Sequence, residues 1–200
     1  MIVVGIETSG VYPEKHGIWQ IDSLDFRNPN NFFIEECRID NEDEVEDGAV
    51  KVHGKDEAYL RDKKKQPQKK LIEHFFKWCE TVNMKNALCP NPQFDLSFIN
   101  YKARKYKINK KSTFHHRAFD LHSIAQAKYA QLYHTLLFRE NCSDMGLSNI
   151  LKLCGMQDNR KEHNALEDAK LTAECFSRLI YGKSLFPEYS QFTIPQEKAG

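Results

Sequence analysis

The chain opens MIVVGIETSG (residues 1–10), and the reading of this stretch sets the starting point of the fold. Ile2, Val3 and Val4 form a β-branched run of the kind that makes a buried strand, and Thr8-Ser9-Gly10 supplies the turn that ends it. Two residues inside the run are poor choices for packing alone. Glycine in a strand contributes no side chain and costs about 0.5–1 kcal/mol relative to alanine, yet Gly5 stands here. Glu7 carries a carboxylate into a place where burial demands a cation or hydrogen-bond donors.

Working outward, Val11 to Gly17 reads as a loop, Ile18 to Phe26 as a second strand and Asn31 to Ile39 as a third, with Asn28-Pro29-Asn30 as the turn between them. The pattern then becomes helical. Leu71, Ile72, Phe75, Phe76, Cys79 and Val82 make one apolar stripe behind Pro67 at a helix start. Ala87-Leu88-Cys89 predicts a short fourth strand, Phe94 to Lys107 a helix, and Arg117 to Leu121 a fifth strand. Helices are expected over Leu121–Leu137, Leu147–Cys154 and Asn164–Tyr181, followed beyond Gly182 by an extended tail marked by Pro187 and Pro195. Strands first and strand–helix alternation afterwards predict an α/β sheet covered by helices, one domain over 1–182 and a tail over 183–200.

Composition narrows the function classes. Of the 200 residues 40% are apolar and 12% aromatic, which fits a globular chain with a sizeable core. The net charge of +1 hides segregation: Glu35 to Asp47 holds eight acids and one Arg, whereas Leu96 to Phe119 holds no acid and carries Lys102, Arg104, Lys105, Lys107, Lys110, Lys111 and Arg117. A second basic run covers Lys63 to Lys65 with Lys69 and Lys70. Solvated faces and nucleic-acid contact are both open for these runs. The six cysteines form no C-x-x-C pair and sit in apolar contexts, which points to reduced, buried thiols. With a strand at the N-terminus and no apolar run near 18 residues, a cytoplasmic protein is expected, neither secreted nor membrane-spanning.

Four places interrupt the packing pattern with an acid or a histidine: Glu7; Asp95 in NPQFDLSF (91–98); His163 and Asp168 in HNALEDAKLTAE (163–174); and Asp22 in IWQIDSL (18–24). Ordinary explanations exist for Asp95, Asp168 and His163. Asp95 suits the positive end of a helix dipole, Asp168 shares its helix with many solvated charges, and His163 suits a loop or cap. Glu7 is the hardest to dismiss, because a strand position predicts burial.

Taken jointly, strand-end Glu7 with Thr8 and Gly10, Asn-x-x-Phe-Asp at 91–95 and His-x-Ala-x-x-Asp at 163–168 resemble one family. The chain resembles the DnaQ-like, DEDDh-type 3′–5′ exonucleases, which include polymerase proofreading subunits and ribonuclease T. GKDEAYLRDKKKQPQKKLIEHFFKW (54–78), RAFDLHSIA (117–125) and GLSNILKLCGMQDNRKEHNALEDAKLTAECF (146–176) extend the likeness over residues 1 to 182. The resemblance implies a ribonuclease H-like fold with a five-stranded mixed sheet. It maps Glu7, Asp95 and Asp168 onto carboxylates for two divalent ions, Mg²⁺ or Mn²⁺, and His163 onto the general base. Thr8, Phe94 and Asn91 would flank the terminal nucleotide. Hydrolysing a phosphodiester explains these residue types: hard cations about 3.5–4 Å apart stabilise the attacking and leaving oxygens and prefer carboxylate ligands, and a neutral histidine can take the water's proton. The basic run at 102–117, interleaved with Tyr106, Phe114, His115 and His116, would track phosphates and stack bases. The expected partner is the 3′ end of single-stranded DNA or RNA, with a polymerase or a second copy open as assembly partners. A catalytically silent binder of nucleic acid or of a polymerase is the alternative.

The family's first motif reads Asp-x-Glu, and its Asp position is Gly5 here. In the second strand, where the family usually has glycine, this chain has Asp22. With residue 5 opposite residue 22 in an antiparallel pair, Glu7 faces Gln20, Val3 faces Leu24, and Val4–Ser23 and Ile6–Ile21 fall on the other face. Directly opposed side chains point the same way about 4.5–5.5 Å apart at Cβ, so Asp22 is a candidate relocated metal ligand. A one-residue slip or a bulge would instead send it elsewhere.

Overall fold

A computed structural model describes residues 1–108, 114–158, 160 and 165–195. The β-branched start forms β1 (Ile2–Thr8), followed by β2 (Ile18–Asp25) and β3 (Asn28–Glu36). The acidic stretch leads into two short helices, α1 (Asp47–His53) and α2 (Glu57–Leu60), and then α3 (Gln68–Thr81). Next come β4 (Ala87–Cys89), α4 (Pro92–Lys105), β5 (Phe119–Asp120) and α5 (Leu121–Tyr133). A small hairpin, β6 (Phe138–Arg139) and β7 (Cys142–Ser143), precedes α6 (Leu147–Leu153) and α7 (Ala165–Tyr181).

The main sheet has five strands in the order β3-β2-β1-β4-β5. β1–β2 and β2–β3 are antiparallel, whereas β4 pairs parallel with β1 and with β5, so the sheet is mixed as expected. Of the pairings considered, the β1–β2 register is the one with residue 5 opposite residue 22: Val3↔Leu24, Val4↔Ser23, Gly5↔Asp22, Ile6↔Ile21 and Glu7↔Gln20, with a shift only beyond Glu7. Alternation then sorts the sheet's two faces. Ile2, Val4, Ile6 and Ile21 pack with Leu71, Ile72, Phe75 and Cys79 of α3 and with Phe98 and Ile99 of α4. Val3, Leu24 and Leu88 pack on the opposite face with α5, α6 and α7, through Leu121, Ile150 and Phe176.

Several expectations shift. The turn between β2 and β3 is Phe26-Arg27, and Asn28-Pro29-Asn30 lie inside β3. Pro29 is tolerated because β3 is an edge strand with an unpaired side. α5 ends at His134, which takes a left-handed conformation (φ 57°), short of the expected Leu137. Beyond Gly182 the chain returns to the α7 face: Pro187–Tyr189 is a 3-10 turn, and Leu185, Phe186, Tyr189 and Phe192 join that core.

Lys102 corrects the reading of the basic run. It is fully buried, with Nζ 2.7 Å from Asp43 Oδ1. Asp43 also accepts from Gln68 Nε2 at 2.7 Å and from the Asp40 N–H at 3.0 Å. Lys105 binds Asp40 and Glu42, the Tyr106 hydroxyl donates to Asp40, and Phe114 packs against Phe75 and Phe76. Lys102, Lys105 and Tyr106 thus tie α4 to the acidic loop and Phe114 packs on α3, whereas Arg104, Lys107, His115, His116 and Arg117 are exposed. Lys110 and Lys111 lie outside the described residues. Asp43→Ala would strand a buried ammonium, and the expected cost is about 3–5 kcal/mol. The double variant Asp43→Ala/Lys102→Met should regain much of that loss, because a packed apolar pair substitutes well for a buried ion pair. Urea unfolding of the three proteins measures both effects.

Candidate active site

β4 stops at Cys89 and pairs with β1 only through Ile2 and Val3, so the C-terminal half of β1 has an open side. α4 begins immediately after β4, with Asn91 as its N-cap and Pro92 in its first turn, and sets Asp95 over that opening. Asp95 is 7% exposed, and the Ile6 N–H left free by β4 hydrogen-bonds its carboxyl. From the other face, α7 crosses β1 and β2 and carries Asp168 in its first turn. Glu7 projects from β1 between them. A cleft of about 260 Å³ is lined by Gly5, Glu7, Asn91, Phe94, Asp95 and Asp168, with Thr172 one helical turn beyond Asp168. Three acids separated by some 90 and 70 residues of chain thus share one wall.

The electrostatics follow from this crowding. Burial first, and then the charges of Asp168, Asp22 and Asp95, push the Glu7 carboxyl up to about 8. Burial raises Asp95 to about 7 against the opposing pull of its own N–H and that of Ile6. Asp22 is 1% exposed and raised to about 6 by burial, although Gln20 Nε2 donates to its Oδ2 at 2.8 Å and the Leu166 N–H also favours its charged form. The Asp22 Oδ1 atom is buried without a hydrogen-bond partner.

Arg160 is a participant that spacing and residue type do not single out. Its Nη1 lies 2.8 Å from Asp168 Oδ1, while Nε and Nη2 bind Asp158 at 2.8 and 2.7 Å. Its place three residues before His163, inside the same 146–176 stretch, is the signal that could have found it. His163 lies outside the described residues. Among the described residues no three acidic, histidine or cysteine side chains close tightly enough to grip one ion in this arrangement. The donor set nevertheless fits divalent cations: hard carboxylate oxygens, drawn from three elements into one cleft, with an orphaned oxygen beside them.

Thr8 lies next door, 8% exposed, with its hydroxyl donating to the Gly10 carbonyl at 2.7 Å. A side chain at Gly10 would run into the His16 ring, which explains the glycine in this turn. An adjoining groove continues from Glu7 and Phe94 past Thr8 to Val11, Ala49 and Val52, so α1 forms its far wall. Val11 and Val52 are more than half exposed, at 54% and 56%. No helix among the described residues is long and apolar enough to cross a membrane.

The raised carboxyls make a pH dependence. Unfolded Asp and Glu release their protons near pH 4, whereas folded Glu7, Asp95 and Asp22 hold theirs to about 8, 7 and 6. Between those limits the folded state binds more protons than the unfolded, so stability is lost as pH rises. In EDTA the melting temperature should therefore fall between pH 5 and pH 8.5, as read by differential scanning calorimetry. A flat or rising profile would contradict the crowding of these acids.

The model of a protein family described as "Exonuclease" matches residues 2–176. Among curated proteins, the DNA polymerase III subunit epsilon of Buchnera aphidicola is 25% identical over 216 residues, covering 99% of this chain and 79% of the relative. That of Haemophilus influenzae is 27% identical over 189 residues, covering 92% and 67%. Two solved structures share the fold. The nuclease domain of 3′hExo, a DEDDh family member bound to rAMP, gives a TM-score of 0.66 at 15% identity, covering 98% of this chain and 96% of that one. E. coli exonuclease I in complex with a dT13 oligonucleotide gives 0.68 at 19% identity, covering 88% of this chain and 40% of that one. With its ribonuclease H-like mixed sheet and its acids gathered at the open end of β1, the chain belongs to the exonuclease family.

Proposed function

We propose that this chain removes nucleotides from the 3′ end of single-stranded DNA or RNA with the help of two divalent ions, Mg²⁺ or Mn²⁺. The observation that carries the reading is the meeting of Glu7, Asp95 and Asp168 in one cleft. These three carboxylates would hold the ions. When bound, such ions lower the pKa of a water and stabilise the attacking and leaving oxygens of the displacement.

The chain's own groups do the rest. Burial of Asp95 against the Ile6 N–H fixes its carboxyl in position, so the site is built before substrate arrives. Asn91 and Phe94 on the cleft and Thr8 beside it flank the terminal nucleotide, and the apolar groove toward Val11 and Val52 gives a base a dry surface. His163, at the head of the segment entering α7, takes the proton of the attacking water; an imidazole is neutral at working pH and suited to that role. The curated relatives are polymerase subunits, which favours a polymerase over a second copy as assembly partner and a cytoplasmic setting. Gly5, standing where the family motif has Asp, lowers the rate and favours one alternative: a silent domain that binds a 3′ end without cutting.

A 5′-labelled oligonucleotide with Mn²⁺ tests both. Trimming from the 3′ end is expected, and Glu7→Gln, Asp95→Asn or Asp168→Asn should each lower it at least about 100-fold. His163→Ala should lower it about 10²–10⁴-fold, the usual contribution of a general base. Retention of the intact oligonucleotide, with no shortening in Mn²⁺ or Mg²⁺, would favour the silent binder.

A further inference from the structure

Ordinary structural roles account for Asp22 only in part: Gln20 Nε2 and the Leu166 N–H at the start of α7 favour its charged form. It lies in the middle of β2, within a five-stranded sheet, on the face that carries the apolar Val3–Leu24 pair one step toward the strand's other end. A packing position of this kind calls for an apolar side chain, and burying a carboxylate there is costly unless both oxygens are met. Only part of the demand is satisfied. Oδ2 accepts from Gln20 Nε2 at 2.8 Å, whereas Oδ1 is buried without a hydrogen-bond partner. Asp22 stands directly opposite Gly5, which adds no side chain, and the next pair on the same face is Glu7–Gln20. Two opposed β positions lie about 4.5–5.5 Å apart at Cβ. Asp22 is thus the nearest same-face acid across the strand from the cleft, and its charge acts on Glu7 alongside those of Asp168 and Asp95.

We infer that Asp22 is a metal carboxylate of this site, reaching from β2 across the Gly5 position and supplying with Oδ1 the ligand that β1 itself does not carry. The assignment rests on the exonuclease reading and names one more ligand of that same site. Gln20, held opposite Glu7, orients the Asp22 carboxyl through Oδ2 and leaves Oδ1 for the ion. Glycine at position 5 and aspartate at position 22 then form one device split over two strands. The pairing would add a fourth carboxylate, Asp22, to the three that line the cleft, Glu7, Asp95 and Asp168.

Mn²⁺ titration calorimetry on the whole chain tests this without relying on turnover. Asp22→Asn keeps the size of the side chain and removes its charge. It should weaken Mn²⁺ binding at least about tenfold without lowering the melting temperature in EDTA, since a buried charge has been removed. The exchange variant Gly5→Asp/Asp22→Gly should bind Mn²⁺ as the parent does. Equal Mn²⁺ affinity and stoichiometry in the parent and in Asp22→Asn would overturn the assignment while leaving the nuclease reading in place. The assignment is overturned in the same way if the parent binds no Mn²⁺ and the exchange variant does. If neither of these two binds Mn²⁺, the metal-dependent reading fails together with the ligand.

Discussion

Acidic groups crowded where water is scarce, each resisting ionisation beside the others, are the constraint around which this molecule is arranged. Two unit charges 4 Å apart repel by about 4 kcal/mol at an effective dielectric near 20, and several acids converge on the end of β1. Nothing in that cluster favours folding by itself. The scaffold must therefore be stiff enough to impose it, and the stiffness comes from elements that meet on either side of β1. The β1–β2 register places Glu7 and Asp22 on one face, α4 brings Asp95 from the edge that β4 leaves open, and α7 brings Asp168 from above.

Each of those elements is anchored away from the cleft. α4 is tied to the acidic loop through the buried Lys102–Asp43 pair, with Lys105 and Tyr106 closing on Asp40. α7 is clamped at its C-terminal half. Glu174, fully buried, accepts from the Leu185 and Phe186 N–H groups and pairs with Arg178, which in turn donates to the carbonyls of Cys154, Tyr189 and Phe192. These bonds bind the segment after α7 and the end of α6 to the helix two turns from Asp168. Polar side chains that look like surface charges in the sequence are the fasteners that keep the repelling acids in place.

What was legible follows the same division. The existence of β1 and β2 was legible from their β-branched and apolar residues, but with Ile2, Val3 and Val4 buried on both faces the register, Gly5 opposite Asp22, is one possibility beside a slip or bulge and is decided by the sheet itself. The stripe over Leu71 to Val82 was clear, since a single apolar face has one place to go. α1 and α2 were not legible: within a run dominated by acids, neither has the repeating apolar face that marks a helix. The burial of Lys102 was hidden because a lysine reads as solvated until its partner, 59 residues away in sequence, is known. The β6–β7 hairpin is exposed on both strands and so carries no alternation to read.

Charge balance within the cleft is met in two ways by the chain's own groups. Asp168 meets the guanidinium of Arg160, whereas Glu7, with burial and three neighbouring acids against it, is held near neutrality by its own proton up to about pH 8. The two solutions differ in kind. Arg160 is positively charged at any working pH and is secured by a second carboxylate, Asp158, at 2.7 Å. The Glu7 proton leaves by titration. Any cation entering between Glu7 and Asp168 competes with both, and its apparent affinity is set as much by what it must displace as by the oxygens it gains. The acids supply the attraction, but the arginine and the proton set the threshold, and both are built into this chain's own sequence.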